Sequence, residues 1–394
     1  MAEVLRKTYL DRLESGRDRT DTVKVITGMR RCGKTVLMRQ FAEHLRDSGV
    51  SEECIVSMNF ESEGLSHIVT HTDLLEEIRS KADTSRRIYV FLDEVQRVDG
   101  WEKAINSLQV DFDADVYITG SNAYLLSSEL STLISGRYVE LKMLPLSFSE
   151  FMELHPGDRD RRFMQYIRYG SLPTVDPDAD ETFERDHLVG IFSTVVLRDV
   201  TGRLGSADSS VLEDICRYLY SNIGNITSCN SIAGDLKESY RDVKKYIRAL
   251  QNAYLFYKCE RYDIRGRKLL DTLEKYYVSD TGIRNAVLGI SSREDISRQI
   301  ENIVYLELLR RGYEVCVGKY GDWEVDFTAR RGDDIEYFQV TMSMMSDDVY
   351  DREVRSLRAI RDSRPKTVLS MDRFLTDIPD GMKHRNVIDW LLEG

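Results

Sequence analysis

The sequence has no C-x-x-C pair, no Pro-rich or Gly-rich tract, and no apolar run approaching the roughly 20 residues that span a bilayer. Its six cysteines, Cys32, Cys54, Cys216, Cys229, Cys259 and Cys316, are scattered. That scatter favours reduced thiols over a disulfide framework and argues against a structural zinc site. Without low-complexity tracts, and with 42% hydrophobic and 31% charged residues, the chain reads as globular rather than disordered. The opening residues Met1 to Lys7 lack the basic and then apolar order of a signal peptide, so the expected location is the cytoplasm, with no membrane partner. A positive excess is missing as well: 55 Lys and Arg against 67 Asp and Glu leave a net charge of −12. Indiscriminate polyanion binding by the whole surface is therefore excluded, and any nucleic-acid site must be a local patch. Internal repeats are not apparent, and 394 residues suggest two or three domains.

What is present starts with Val23, Val25 and Ile26, a short apolar run that reads as a buried strand and ends at Gly28. From Gly28 to Thr35 the chain matches G-x-x-x-x-G-K-T, and Lys34 and Thr35 open an amphipathic helix. A strand, loop and helix in that order let backbone N–H groups and a helix N-terminus converge on phosphate oxygens. Gly28, Arg30, Arg31, Cys32, Gly33, Lys34 and Thr35 are thus the expected nucleotide cradle. In it Lys34 neutralises the β and γ phosphates, and Thr35 ligates Mg²⁺.

A second apolar strand, Arg87 to Leu92, ends in Asp93-Glu94, at the edge where parallel strands meet a ligand crevice. Neighbouring strand residues face opposite ways, so the two acids take different roles. Asp93 is expected to help hold Mg²⁺, and Glu94 to orient and deprotonate the attacking water. A third strand, Asp115 to Thr119, runs into Gly120-Ser121-Asn122, where Asn122 is the candidate γ-phosphate sensor, with Ser121 second and helix capping the competing role. Arg137, after Gly136 and before the strand Tyr138 to Leu141, is the candidate arginine finger or sensor, against the alternative of a solvated arginine beside a turn.

Together the phosphate loop, the Asp-Glu, the Gly-Ser-Asn strand end and the Gly-Arg resemble an AAA-type ATPase core. The segments Val25 to Lys34, Pro145 to Phe151, Tyr169-Gly-Ser-Leu-Pro173 and Tyr277 to Gly282 resemble a widespread family of prokaryotic AAA-type ATPases with a C-terminal domain of unknown function, over nearly the whole chain. Tyr169-Gly-Ser departs slightly from the Tyr-Gly-Gly that the resemblance leads one to expect. The resemblance implies ATP rather than GTP, in keeping with the absence of Asn-Lys-x-Asp, and leads one to expect the paired Arg30 and Arg31, in contact with nucleotide or a neighbouring subunit. Cys32 is either a readily ionised thiol or a small loop filler.

Residues 151–204 read as helices of a lid or linker after an ATPase core at 1–150. In 205–290, with 13 basic and 11 acidic residues, a short helix, a longer helix Tyr240 to Ala253 and two strands around Arg265-Gly-Arg-Lys268 suggest a winged helix. Arg241, Lys244, Lys245 and Arg248, outside the apolar stripe, join Arg265, Arg267 and Lys268 as the candidate DNA surface, with protein docking the alternative. Residues 291–394 run helix, three strands, helix, strand, which resembles the restriction-endonuclease-like fold. Glu301 and Asp326 match its first two acidic positions, but Gln339-Val340-Thr341 stands where an acid and a lysine are expected. Neutral Gln339 neither holds a metal nor activates water, so a retired scaffold is expected, with Lys319 the candidate substitute cation. The overall expectation is an α/β, Mg²⁺-dependent ATPase, coupled to DNA or a protein partner and a candidate homo-oligomer. A nucleotide-gated DNA switch with little hydrolysis is the rival, and an ATP-dependent nuclease a third reading.

Overall fold

The computed structural model describes residues 3–123, 136–204, 208–289, 295–374 and 378–393, and the chain divides into two compact units. The first comprises Met1–Met143 with Asn252–Tyr254. Its strands are β1 (Val23–Thr27), β2 (Ile55–Asn59), β3 (Ile88–Asp93), β4 (Ala114–Gly120) and β5 (Tyr138–Lys142). They form one parallel sheet in the order β2-β3-β4-β1-β5. Every residue of β1, β3 and β4 is buried, because apolar side chains leave both faces of these strands. On one face Val25, Val90 and Ile118 pack with Leu74 and Ile105; on the other Ile26, Phe91 and Tyr117 pack with Leu37 and Phe41 of the helix Lys34–Asp47. Five parallel strands bring their C-terminal ends to one edge, so Thr27, Asp93 and Gly120 end together, as the α/β phosphate-loop expectation requires.

The second unit comprises Leu144–Gln251 and Leu255–Gly394. Helices Phe148–Leu154, Arg159–Tyr169 and Glu181–Thr194 come first, and a capping box of Ser147 and Glu150 starts the first of them. Asp280 explains why two separated motifs go together. Its carboxylate caps the helix Thr281–Leu288 through the Ile283 amide at 2.8 Å, and it accepts from the Ser171 amide at 2.6 Å. A Cβ on Gly170, whose φ is +83°, would lie 2.2 Å from that carboxylate, and one on Gly282 would lie 2.0 Å from the Tyr169 carbonyl. Tyr169-Gly170-Ser171 and Asp280-Thr281-Gly282 are therefore two halves of one close junction.

The same unit carries a seven-stranded mixed sheet, ordered β12-β11-β10-β9-β8-β6-β7. Its strands are β6 (Phe256–Asp263), β7 (Lys268–Val278), β8 (Glu314–Tyr320), β9 (Trp323–Arg331), β10 (Asp334–Val340), β11 (Lys366–Ser370) and β12 (Lys383–Asn386). The basic hairpin β6-β7 is not free-standing: Arg261 to Asp263 of β6 pair in parallel with Val317 to Lys319 of β8. Long-range parallel pairing of this kind leaves no local sequence signal. The helix Ile296–Arg310 precedes the antiparallel run β8-β9-β10, and the helix Asp347–Ala359 crosses to β11, which lies parallel to β10.

Candidate functional site

The loop after β1 is shaped by residues that tolerate unusual backbone. Gly28 has φ +147°, and a Cβ there would lie 2.2 Å from the Met143 carbonyl oxygen. Gly33, with φ +104°, is the N-cap of the helix Lys34–Asp47, and no side chain caps that end. Its first amides therefore have no intrahelical acceptor and suit an anion. Arg31 is a non-glycine residue held at φ +69°, the kind of strain that persists where surrounding contacts over-determine a loop.

Lys34 is buried, and its Nζ donates to the carbonyls of Gly28 at 2.9 Å and Met29 at 3.1 Å. Thr35 Oγ1 donates to Asp93 Oδ2 at 2.7 Å, while Thr119 Oγ1 donates to Asp93 Oδ1. Glu94 lies in the left-handed region at φ +54°, and its amide donates to Thr119 Oγ1 at 3.1 Å. Burial raises the Glu94 carboxyl above its ordinary range, with Lys34 opposing the shift and Asp93 adding to it. Gln96 Nε2 donates to Glu94 Oε2. The phosphate-loop lysine and threonine and the two acids are thus brought to one edge of the sheet.

Asn122 is buried two residues past Gly120, whose register partner on β1 is Thr27, so it lies at the same edge. Arg30 pairs with Glu61 at 3.0 Å, and Cys32 is fully buried. Arg137 requires a correction. Its carbonyl accepts from the Val23 amide at 3.0 Å, and Tyr138 pairs with Val23 at the start of β1. Because β5 runs parallel to β1, Arg137 lies at the opposite edge of the sheet from the phosphate loop. Within one copy it is neither finger nor sensor.

Three contributors escaped sequence reasoning. Buried Arg6 donates to the Cys32 carbonyl at 3.1 Å, Glu61 holds Arg30, and Thr119 serves both Asp93 and the Glu94 amide. No local pattern marks Arg6 or Glu61; Thr119 was visible only as the residue before the Gly-Ser-Asn turn.

In the second unit, Glu301, Asp326 and Gln339 do come together, lining a pocket of about 350 Å³ with Glu324 and Glu353. Gln339 Oε1 accepts from the Asp326 amide at 3.3 Å, and its Nε2 donates to Glu353 at 2.6 Å. Lys275 of β7, rather than Lys319, pairs with these acids, its Nζ 3.1 Å from Glu301 and 3.0 Å from Glu324, and Arg352, which also lines the pocket, pairs with Glu353 at 2.6 Å. Burial opposes the Lys275 charge, but Glu301, Asp326 and Glu324 more than offset this and hold the ammonium above its ordinary range. Burial and the neighbouring Glu301 push Asp326 well above the usual carboxylate range. Among the described residues no group of three or more His, Cys, Asp or Glu is arranged to hold a metal ion.

Arg241, Lys244, Lys245 and Arg248 are all exposed on the helix Tyr240–Asn252, opposite buried Val243, Tyr246, Ile247 and Leu250. The hairpin cations separate: Arg267 and Lys268 line a groove with Lys258, whereas Arg265 lines another with Arg355 and Arg358.

Sheet order, phosphate loop and strand-end acids define the first unit as an AAA-type nucleotide-binding module. In agreement, residues 20–152 match a family model described as AAA domain, and residues 160–294 match a Domain of unknown function (DUF8612). A Haemophilus influenzae protein described as uncharacterized is 39% identical over 403 residues, covering 100% of this chain and 99% of its own. A Methanocaldococcus jannaschii protein, also described as uncharacterized, is 28% identical over 363 residues, covering 86% and 79%. The chain belongs to this prokaryotic family, which joins an AAA domain to a domain of unknown function. Among solved structures, AMPPCP-bound DnaA from Aquifex aeolicus is 12% identical, covers 63% of this chain and 89% of its own, and has a TM-score of 0.31. A DNA polymerase III gamma subunit-related protein from Thermotoga maritima is 10% identical, covers 76% and 98%, and has a TM-score of 0.28. No helix among the described residues is long and apolar enough to cross a membrane.

Proposed function

We propose that this chain binds ATP with Mg²⁺ and hydrolyses it, and that the nucleotide state governs how the second unit engages DNA or a protein partner. One observation carries the reading: Lys34 is buried in the phosphate loop, and its ammonium donates to the carbonyls of Gly28 and Met29. Neutral carbonyls are weaker partners than phosphate oxygens, so the ammonium is held in place yet free to transfer its hydrogen bonds to an incoming polyphosphate. Thr35 and Asp93 fit the metal, because their bonded oxygens at 2.7 Å supply a hydroxyl and a carboxylate beside the loop. Mg²⁺ bound there would neutralise phosphate charge and leave the terminal phosphorus open to in-line attack.

Thr119 fixes the rotamer of Asp93 and also holds the Glu94 amide. Glu94 then takes a proton from a water that it orients, a role favoured by its raised affinity for protons. Asn122 is the residue we assign to sensing the terminal phosphate, and Arg30 and Arg31 to contact with nucleotide or a neighbouring copy.

We read residues 205–290 as a winged-helix module and 291–394 as a restriction-endonuclease-like scaffold retired from hydrolysis. The helix, the β8-β9-β10 meander and the parallel β11 support the latter, and Gln339 and Lys275 support its retirement. ATP turnover measured against protein concentration, with and without Mg²⁺ and duplex DNA, tests the proposal. Mg²⁺-dependent phosphate release that rises per subunit as copies assemble, and shifts with DNA, is expected. Absence of release under every condition would leave only the nucleotide-gated switch.

A further inference from the structure

Three arginines, Arg355, Arg358 and Arg361, recur every third residue along the helix Asp347–Ala359 and just past its end, and all are exposed. Arg355 and Arg358 share one face of that helix, Arg361 follows its extended C-cap Ile360, and the helix is anchored by buried Val354 and Leu357. They line a groove of about 540 Å³ with Arg265 from the β6-β7 turn and with Tyr320 and Trp323 at the β8-β9 turn. The groove joins elements almost 100 residues apart in sequence, so it is a product of the fold and not of a basic run.

Its charge is unusual for this chain. The net charge is −12, and several surface arginines elsewhere are paired, among them Arg87 with Asp113 and Arg373 with Asp160. Among the described residues, no carboxylate forms an ion pair with Arg265, Arg355, Arg358 or Arg361. Nearby Asp362 is already engaged by Lys366 and the Tyr337 hydroxyl, and Arg352 by Glu353. Four like charges converging without a counter-ion suit a ligand that brings several negative charges.

The aromatic component narrows the class. Trp323 is 43% exposed, whereas Trp101 and Trp390, the other two tryptophans, are buried. The Arg355 guanidinium lies 5.6 Å from the Trp323 ring centroid. An exposed ring beside guanidinium groups is a platform for a base plane flanked by phosphates. Bases stacked and paired inside a duplex cannot present a face to it, a single phosphorylated side chain would not need four arginines, and a flat bilayer surface does not enter a groove. We infer that this groove binds single-stranded nucleic acid, with phosphates on the arginines and a base stacked on Trp323. The inference gives the DNA-coupling reading a partner and a surface distinct from the basic helix face; it requires no nucleotide, so it can fail while ATP hydrolysis holds, and the reverse.

The test is anisotropy of a fluorescein-labelled 20-nucleotide oligothymidylate titrated with the full chain, without nucleotide, over a series of salt concentrations, with tryptophan emission followed in parallel. Binding is expected to quench tryptophan emission, and Trp323→Ala to weaken it about tenfold. Replacing Arg355, Arg358 and Arg361 together by Ala should flatten the log–log salt slope by about 2, since each single-strand phosphate contact contributes about 0.7. Lys103→Ala with Arg185→Ala, exposed positions outside both basic surfaces, should leave both readouts unchanged. All these positions are exposed, and circular dichroism checks that the variants fold. Binding by the triple variant with the wild-type slope, or saturation without quenching, would overturn the inference. So would capture of only a duplex, a phosphopeptide or anionic vesicles by the wild-type chain.

Discussion

Each unit buries a lysine beside acids, and the two lysines are spent differently. Lys34 donates to two neutral carbonyls, and the acids of its site, Asp93 and Glu94, are held by hydroxyls and an amide side chain. Lys275 instead sits directly on Glu301 and Glu324. The first arrangement leaves both the cation and the carboxylates with capacity for a ligand; the second satisfies them internally. Similar residue types thus give a site open to a ligand in one place and a closed electrostatic cluster in the other, and the difference lies in what the ammonium touches.

The largest effect that sharpens this comparison is expected at the loop. Lys34→Ala should lower kcat/KM for ATP by about a thousandfold or more, as loss of a key charge stabiliser does, with little change in thermal unfolding, because only bonds to neutral carbonyls disappear. Glu94→Gln should cut turnover by roughly 10² to 10⁴ while nucleotide binding, read by a fluorescent ATP analogue, persists. Lys275→Met should show the reverse: buried acids lose their counter-charge, so stability should fall by about 3 kcal/mol in denaturant titration, with no equivalent loss at the phosphate loop. Equal effects of Lys34→Ala and Lys275→Met on turnover would break the contrast.

Smaller effects follow from the supporting residues. Thr119→Val removes one hydroxyl from Asp93 and from the Glu94 amide, and should reduce turnover about tenfold at a stability cost of about 1 kcal/mol. A pH series checks the environment of Glu94. Its folded pKa is raised, so the required carboxylate is lost as pH falls through that raised value. The acid limb of kcat should therefore lie above the ordinary glutamate pKa of about 4.3. A limb at or below that value would contradict the burial assigned to Glu94.

The parts of the site legible in the sequence were those whose meaning is local. Gly28 to Thr35 state their own backbone demands, and Asp93-Glu94 end an apolar run long enough to be a buried strand. Local pattern could not place Arg137 because strand direction is a topological fact: only the parallel pairing of β5 with β1 puts that residue at the sheet edge away from the phosphate loop of its own copy. Lys275 and Glu353 were missed for a related reason, since β7 and the helix Asp347–Ala359 meet the acids of Glu301 and Asp326 only in three dimensions. The hairpin around Arg265 was read correctly as two strands, but not its parallel junction with β8, which sends Arg265 to one groove and Arg267 and Lys268 to another.

The central claim is tested most directly by single-turnover hydrolysis of ATP with the chain in excess and Mg²⁺ present. Wild type should bind the nucleotide and release phosphate, Glu94→Gln should hold it intact, and Lys34→Ala should do neither. Phosphate release by Lys34→Ala at the wild-type rate, or failure of the wild-type chain to retain any nucleotide, would contradict the account.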